Sequence, residues 1–237
     1  KDKYIKFVTI ISLIFMLAGC AVNNSSQTRS PYQDTAGRTR VLDISKIYEQ
    51  GWFHLPVKGL NEFRITIKDD ELAIMAEGSP SGNASGLIRF LDEPGIDCSD
   101  ISWRWQNTRI QSSANLIEKS TDDVAAAIYV LFGDPGMMSL PNPVPTLRYV
   151  WTTHAHKVGD IIPNPYLPNY VRNVVIKTGI SASEGWVDER RDMHKDFVSA
   201  FGHSPKEGVH AVAIFVDNDQ TDEPVTSFFG NISMLCK

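Results

Sequence analysis

From residue 63 onward the chain is built of short runs in which apolar residues alternate with polar ones or follow one another without a break. Turn residues separate these runs. Phe63-Arg64-Ile65-Thr66-Ile67 alternates, Asp69-Asp70 supplies a turn, and Leu72-Ala73-Ile74-Met75-Ala76 returns, so the pair predicts a hairpin. A Gly/Ser/Pro loop from Gly78 to Gly86 leads into a strand at Leu87–Leu91. Further strands are predicted at 101–105, 147–152, 171–178, 209–216 and 228–235. Val124–Phe132 (VAAAIYVLF) is apolar throughout, which predicts a central strand buried on both faces. The prolines at 141, 143, 145, 163, 165 and 168 all fall between strands. One helix is expected, Met193–Phe201, with Gly202 as its C-cap. Many short strands with one or two short helices predict a mainly β fold, an antiparallel jelly-roll β-sandwich. Strands do not alternate with helices, which disfavours a Rossmann-type sheet.

Before residue 41 the pattern changes. Lys1, Lys3 and Lys6 precede a short apolar run, Phe7–Met16, and then Leu17-Ala18-Gly19-Cys20. The run is too short to span a bilayer and has the length of a signal-peptide core. The segment resembles a bacterial lipoprotein signal peptide over residues 1–19, with Cys20 as the lipidated residue. Ala21 stands where an inner-membrane retention Asp would be, so the expected place is the outer membrane, facing the periplasm. Residues 20–40 are polar and read as a lipidated tether, with a single globular domain over 41–237.

This address changes how charge and cysteine are read. The chain carries 23 Lys and Arg against 28 Asp and Glu; residues 1–19 hold three of the former and one of the latter. A mildly acidic body lacks the basic footprint of a nucleic-acid binder. With Cys20 lipidated, Cys98 and Cys236 are left in an oxidising compartment, either as one disulfide or as two separate buried thiols.

Several groups could carry chemistry. Trp103 and Trp105 share one face of a strand and are assigned mainly to the core; Arg104 faces the other way and needs an acidic partner. Asp122-Asp123 precedes the apolar strand and Asp217-Asn218-Asp219 follows another. If these strand ends meet, Asp122, Asp123, Asp217 and Asp219 form a polar site that could pair with Arg104 or Lys119 or hold calcium. The second cluster is not an EF-hand, since Asp222 and Phe228 stand at its Gly and Glu positions. Beyond that low expectation for calcium, no cofactor is indicated. Trp151 and Trp186 are the candidate stacking surfaces for a ligand. Glu189 is the candidate general acid or base, with Asp123 or Asp196 as its partner carboxylate. His154 and His156 have strand spacing for a metal but no third ligand nearby.

These same residues resemble a family. Trp103-Arg104-Trp105, Lys119, Asp122-Asp123, Ala125-Ala126, Tyr129-Val130, Phe132 and Tyr149-Val150-Trp151 are similar to the bacterial domain-of-unknown-function family numbered 3047. So are Trp186, Glu189-Arg190, Asp196-Phe197, Phe201-Gly202, Pro205, Asp217-Asn218-Asp219, Thr221 and Phe229-Gly230-Asn231-Ile232. The resemblance spans roughly residues 50–236 and departs at Ala127, where the family pattern has an Arg. It implies one secreted domain and no particular reaction. The layout is also similar to galactose-binding-like and concanavalin-like jelly rolls, which implies a glycan as ligand. The leading expectation is a lipid-anchored, non-catalytic binding module for a glycan or other envelope ligand, with the membrane as its second partner. The alternatives are a polysaccharide hydrolase or lyase with paired carboxylates, and a structural or assembly lipoprotein.

Overall fold

The computed structural model describes residues 37–137, 140–180 and 185–237; the signal segment and Cys20 lie outside the described residues. In chain order the strands are β1 (Thr39–Leu42), β2 (Phe53–Lys58), β3 (Glu62–Lys68), β4 (Glu71–Gly78), β5 (Ala84–Phe90) and β6 (Cys98–Arg109). They continue with β7 (Val124–Phe132), β8 (Gly136–Met137), β9 (Leu140–Pro141), β10 (Thr146–Thr152), β11 (Ile161–Pro163) and β12 (Val171–Thr178). The last are β13 (Val187–Asp192), β14 (Val209–Asp217) and β15 (Val225–Cys236), and among the described residues one α-helix, α1 (Met193–Phe201), lies between β13 and β14. A single 3-10 turn at Ile44–Lys46 is capped by Asp43.

Two sheets face each other. One has the order β13-β6-β15-β4-β3, with β1 added beside β15; the other has the order β11-β12-β10-β7-β14-β5-β2. This is the expected jelly-roll-type sandwich with one departure: β10 and β12 run parallel. The 18 residues from Thr153 to Tyr170 make that crossover possible, since parallel neighbours cannot be joined by a tight turn. The β3–β4 hairpin turns at Asp69 and Asp70, both at positive φ (50° and 64°), the primed turn that matches strand twist. Helix α1 starts on Asp192, whose side chain accepts from the Lys195 N–H, and ends at Gly202 with φ 79°.

The core lies between the sheets and runs without a break from Val41 to Met234. Trp103 and Trp105 belong to it, as their spacing suggested. Trp103 meets Tyr149 at 5.3 Å between ring centres, and Trp105 meets Trp151 at 5.6 Å. Phe197 of α1 packs on Phe132 at 4.7 Å and closes one end of the sandwich. Cys98 and Cys236 pair across β6 and β15 and are disulfide-bonded. The tether read through Arg40 gives way earlier: β1 begins at Thr39, and Arg38 forms an ion pair with Asp100.

Candidate functional site

Period two decides what lies on the outer face of the seven-stranded sheet. In β10, Leu147, Tyr149 and Trp151 point into the core, so Arg148 and Val150 point out. Register then places Tyr129 of β7 and Asn173 of β12 on either side of Arg148. Tyr129 in turn meets Phe215 of β14 at 5.3 Å, and Asp217 lies two residues further along β14. Leu116, Val124, Ala127, Val150, Val175 and Phe215 form a second apolar layer over this face. Arg148 is therefore 1 % exposed although it lies outside the main core.

A buried guanidinium needs partners, and it has them. Its Nη2 donates to Asp217 Oδ2 at 3.2 Å, Nη1 donates to Asn173 Oδ1 at 3.3 Å, and Asp122 Oδ1 lies 3.6 Å away. The Tyr129 ring lies 5.3 Å from its Cζ. Burial acts to lower its pKa, but Tyr129, Asp122, Asp217 and Asp123 together hold it above the ordinary arginine value.

The carboxylates outnumber the cations. Asp122 accepts from the Asn164 amide at 2.7 Å, and Asp219 is paired with Lys58 at 3.0 Å. Asp123 accepts from the backbone N–H of Gln220 and of Thr221 and from the Thr221 hydroxyl, at 3.2, 2.7 and 2.6 Å, so it braces the loop after β14. Burial pushes Asp122 up to about 6, against the pull of Arg148 and Asn164. Burial likewise pushes Asp217 well above the usual range; Arg148 opposes this, while Asp123 and a hydrogen bond toward Asp219 add to it. Within this cluster the buried oxygens Asp122 Oδ1, Asp217 Oδ1 and Gln220 Oε1 receive no hydrogen bond. Asp123, Asp217 and Asp219 each offer a carboxylate oxygen, all within 4.8 Å of one another. Such a set can take hydroxyl donors or gather a hard cation.

An exposed ring borders this cluster. Tyr166 is 51 % exposed; its hydroxyl donates to the Lys119 carbonyl at 2.6 Å, and the Lys119 ammonium lies 5.3 Å from the ring centre. The Tyr166 N–H donates to Asn164 Oδ1 at 3.0 Å, and Asn164 donates to Asp122, which ties this residue to the acidic group; burial first, and then Asp219, Asp122 and Asp217, push its hydroxyl up.

With this geometry in view, comparison with known proteins adds the following. Residues 50–233 match the family described as "Protein of unknown function (DUF3047)". The chain belongs to the DUF3047 family. No curated protein matches it. Among solved structures it is similar to the xyloglucanase domain of NopAA, a type three effector from Sinorhizobium fredii, in complex with cellobiose. That likeness has 9 % identity and a TM-score of 0.40, and covers 79 % of this chain and 96 % of the other. The family 11 xylanase from Neocallimastix patriciarum is also similar, at 11 % identity and TM-score 0.26 over 77 % of this chain and 95 % of the other.

Within this DUF3047 chain the expected acidic residues meet: Asp122, Asp123, Asp217 and Asp219 converge at one end of the seven-stranded sheet. Arg104 is not among them. It lies on the outer face of the other sheet, where its Nε and Nη2 donate to Asp188 at 3.0 and 2.9 Å and its Nη1 donates to Glu71. The Trp186 ring centre lies 5.6 Å from its Cζ, and Arg104, Glu71, Asp188 and Glu189 line a depression of about 400 Å³. Gly230 permits this, because a Cβ there would collide with the Arg104 side chain. The buried cation at the acidic site is Arg148, on the strand next to Ala127. Among the described residues Lys119 forms no ion pair with an Asp of the cluster; its ammonium lies over the Tyr166 ring.

Trp151 is not a stacking surface. It is fully buried, its indole donates to the Gly179 carbonyl at 2.6 Å, and the inward phase of β10 accounts for this. Glu189 lies on β13 at the edge of the smaller sheet, whereas Asp123 precedes β7 of the larger one; burial pushes the Glu189 carboxyl up, with Lys177 opposing. Asp196 is held by Arg191 at 2.6 and 2.9 Å. His154 and His156 do not form a pair, because β10 ends at Thr152 and the strand spacing no longer holds. His154 packs on Gly179, while His156 Nε2 accepts from the Leu116 N–H at 3.0 Å. Arg148, Asn164, Tyr166 and Lys58 were missed. Arg148 left one signal, a lone charge inside the apolar run from Leu147 to Trp151. The others stand in loops or on an edge strand and left none.

Proposed function

We propose that this protein is a lipid-anchored component of the bacterial cell envelope, placed in the outer membrane and facing the periplasm, that binds a polyhydroxylated, glycan-type ligand without transforming it. The ligand site is the Arg148 end of the seven-stranded sheet. The observation that carries this reading is the exposed Tyr166 ring beside buried carboxylate oxygens that no donor fills. An aromatic face with a few convergent acceptors is the chemistry that recognises sugar hydroxyls. Asp217 and Asp219 form the partly open rim, while Asp122 and Asp123 are the floor and the brace. Anchoring rests on the Lys-rich start, the short apolar run and Cys20.

The test is thermal unfolding of the full chain with calcium, with chelator and with a panel of glycans. A ligand of the folded state at about a hundred times its Kd adds about 2.7 kcal/mol. A glycan should raise the melting temperature, and Tyr166→Ala or Asp219→Asn should abolish the shift. A calcium shift that Asp219→Asn removes would make the bound ion part of the same site. No shift with any glycan overturns the proposal. So does a shift that Trp186→Ala removes and Tyr166→Ala leaves intact, since that would place the ligand over Arg104.

A further inference from the structure

Sheet edges carry unpaired backbone groups, and natural proteins block them with prolines, bulges, charges or short length. Most edges here are blocked. β2 carries Pro56 and a register shift between Pro56 and Lys58. β11 has three residues and ends on Pro163. Five of the six residues of β13 are charged, and β1 has only four residues with a bulge.

The far edge of β3 has no proline, no bulge and full strand length, and its charges, Glu62, Arg64 and Lys68, all fall on one face, leaving the other face apolar. Its seven residues, Glu62-Phe63-Arg64-Ile65-Thr66-Ile67-Lys68, contain no Pro or Gly, and they pair in regular register with β4 alone among the described residues. Phe63, Ile65 and Ile67 share the face that meets the core, yet only Phe63 is packed against it. Ile65 is 43 % exposed, Ile67 63 %, and Leu72, opposite Ile67 on β4, is 45 % exposed. An open strand edge thus adjoins an uncovered apolar strip.

The sequence of this edge matches itself. An antiparallel pair with a two-fold axis through Ile65 sets Glu62 opposite Lys68, Phe63 opposite Ile67, Arg64 opposite Thr66, and Ile65 opposite its own copy. Both charged contacts are of opposite sign and all apolar contacts are like with like. Sliding two residues one way sets Arg64 against Arg64, and sliding two the other way sets Arg64 against Lys68. A slide of one residue sets the apolar face of one copy against the charged face of the other. We propose that the protein forms a two-fold dimer by antiparallel pairing of β3 with β3 of a second copy, joining the two smaller sheets into one continuous sheet. An isologous contact of this kind closes on itself, so it stops at two copies and uses up the open edge.

Two experiments on the full chain in neutral detergent test this. Under mild oxidation Ile65→Cys should give a reducible covalent dimer, because opposed residues on the axis have Cβ atoms about 5 Å apart. Ile67→Cys, facing Phe63, and wild type should not. Analytical ultracentrifugation should show a monomer–dimer equilibrium in wild type. Glu62→Lys or Lys68→Glu alone should weaken it about ten-fold, since each disrupts two symmetry-related pairs. The double exchange should bring it back toward wild type. A wild type that stays monomeric across the concentration series overturns the proposal, and leaves the edge to another protein's strand or to solvent. Equal cross-linking at residues 65 and 67, or a double exchange no better than the single ones, overturns it too.

Discussion

Replacing Arg148 with methionine keeps most of the side-chain volume and removes the buried cation that pairs with Asp122 and Asp217. At an effective dielectric of 20, a unit charge 3.2 Å from Asp217 and 3.6 Å from Asp122 contributes about 5 kcal/mol of attraction to each. Desolvation of the buried ions offsets much of that, and breaking such a group by removing one partner costs about 3–5 kcal/mol net. For a domain of this size that is a fall in melting temperature of roughly 10 °C. The sign of the pH dependence follows from the carboxyls. Burial already holds Asp122 at about 6 and Asp217 well up, and losing Arg148 raises both further. A carboxyl raised above its unfolded value of about 3.9 holds its proton in the fold where the unfolded chain has lost it. Its destabilising effect is absent below about 3.9 and grows as pH rises through the folded value. The deficit of Arg148→Met should therefore be largest near pH 8 and smaller near pH 5. Urea denaturation of both proteins at the two pH values measures it, with Arg148→Met/Asp217→Asn recovering part of the loss at high pH. A deficit under about 1 kcal/mol, or one equal at both pH values, would refute the charge argument.

Reducing and alkylating Cys98–Cys236 opens a loop of 138 residues, worth about 5 kcal/mol on the chain-entropy estimate; calorimetry should show a fall of about 10–20 °C, and an unchanged transition would mean the bond does not constrain the unfolded chain. Burial lowers the His156 pKa, with Asp160 opposing, so His156 supports the fold fully above its unfolded value of about 6.5 and that support is lost as pH falls toward the folded value. Relative to His156→Gln, which retains an acceptor for the Leu116 N–H, wild type should lose stability between about pH 6.5 and 5; parallel curves would assign the bond no role in pH sensitivity.

How much of this was legible depended on the range of the interaction. Alternation and apolar runs located the β3–β4 hairpin, the twice-buried β7 and the aromatic face of β6, because strand periodicity is local. Helix α1 was legible for the same reason, as its C-cap Gly202 acts within one turn; its N-cap, Asp192, emerged only in the structure. The acidic pairs were visible as turn residues at strand ends, and their composition pointed to a polar site. The sequence alone therefore determined the longer strands and the helix, the mainly β class and the residues rich in oxygen ligands, but not the edge strands β1, β2, β11 and β13.

Register and layer order decided the rest. Arg104 and Arg148 each stand between aromatic or apolar neighbours on a strand, and nothing local separates them. Arg104 faces solvent because Trp103 and Trp105 take the core on β6, and Arg148 meets the carboxylates because β10 lies beside β7 in the larger sheet. Trp151 was offered to a ligand on its chemistry, yet the phase of β10 buries it. The parallel β10–β12 pair and the Cys98–Cys236 bond likewise depend on which strands become neighbours. A pairing between residues far apart in sequence reflects the free energy of the whole sandwich, which no short window of sequence contains.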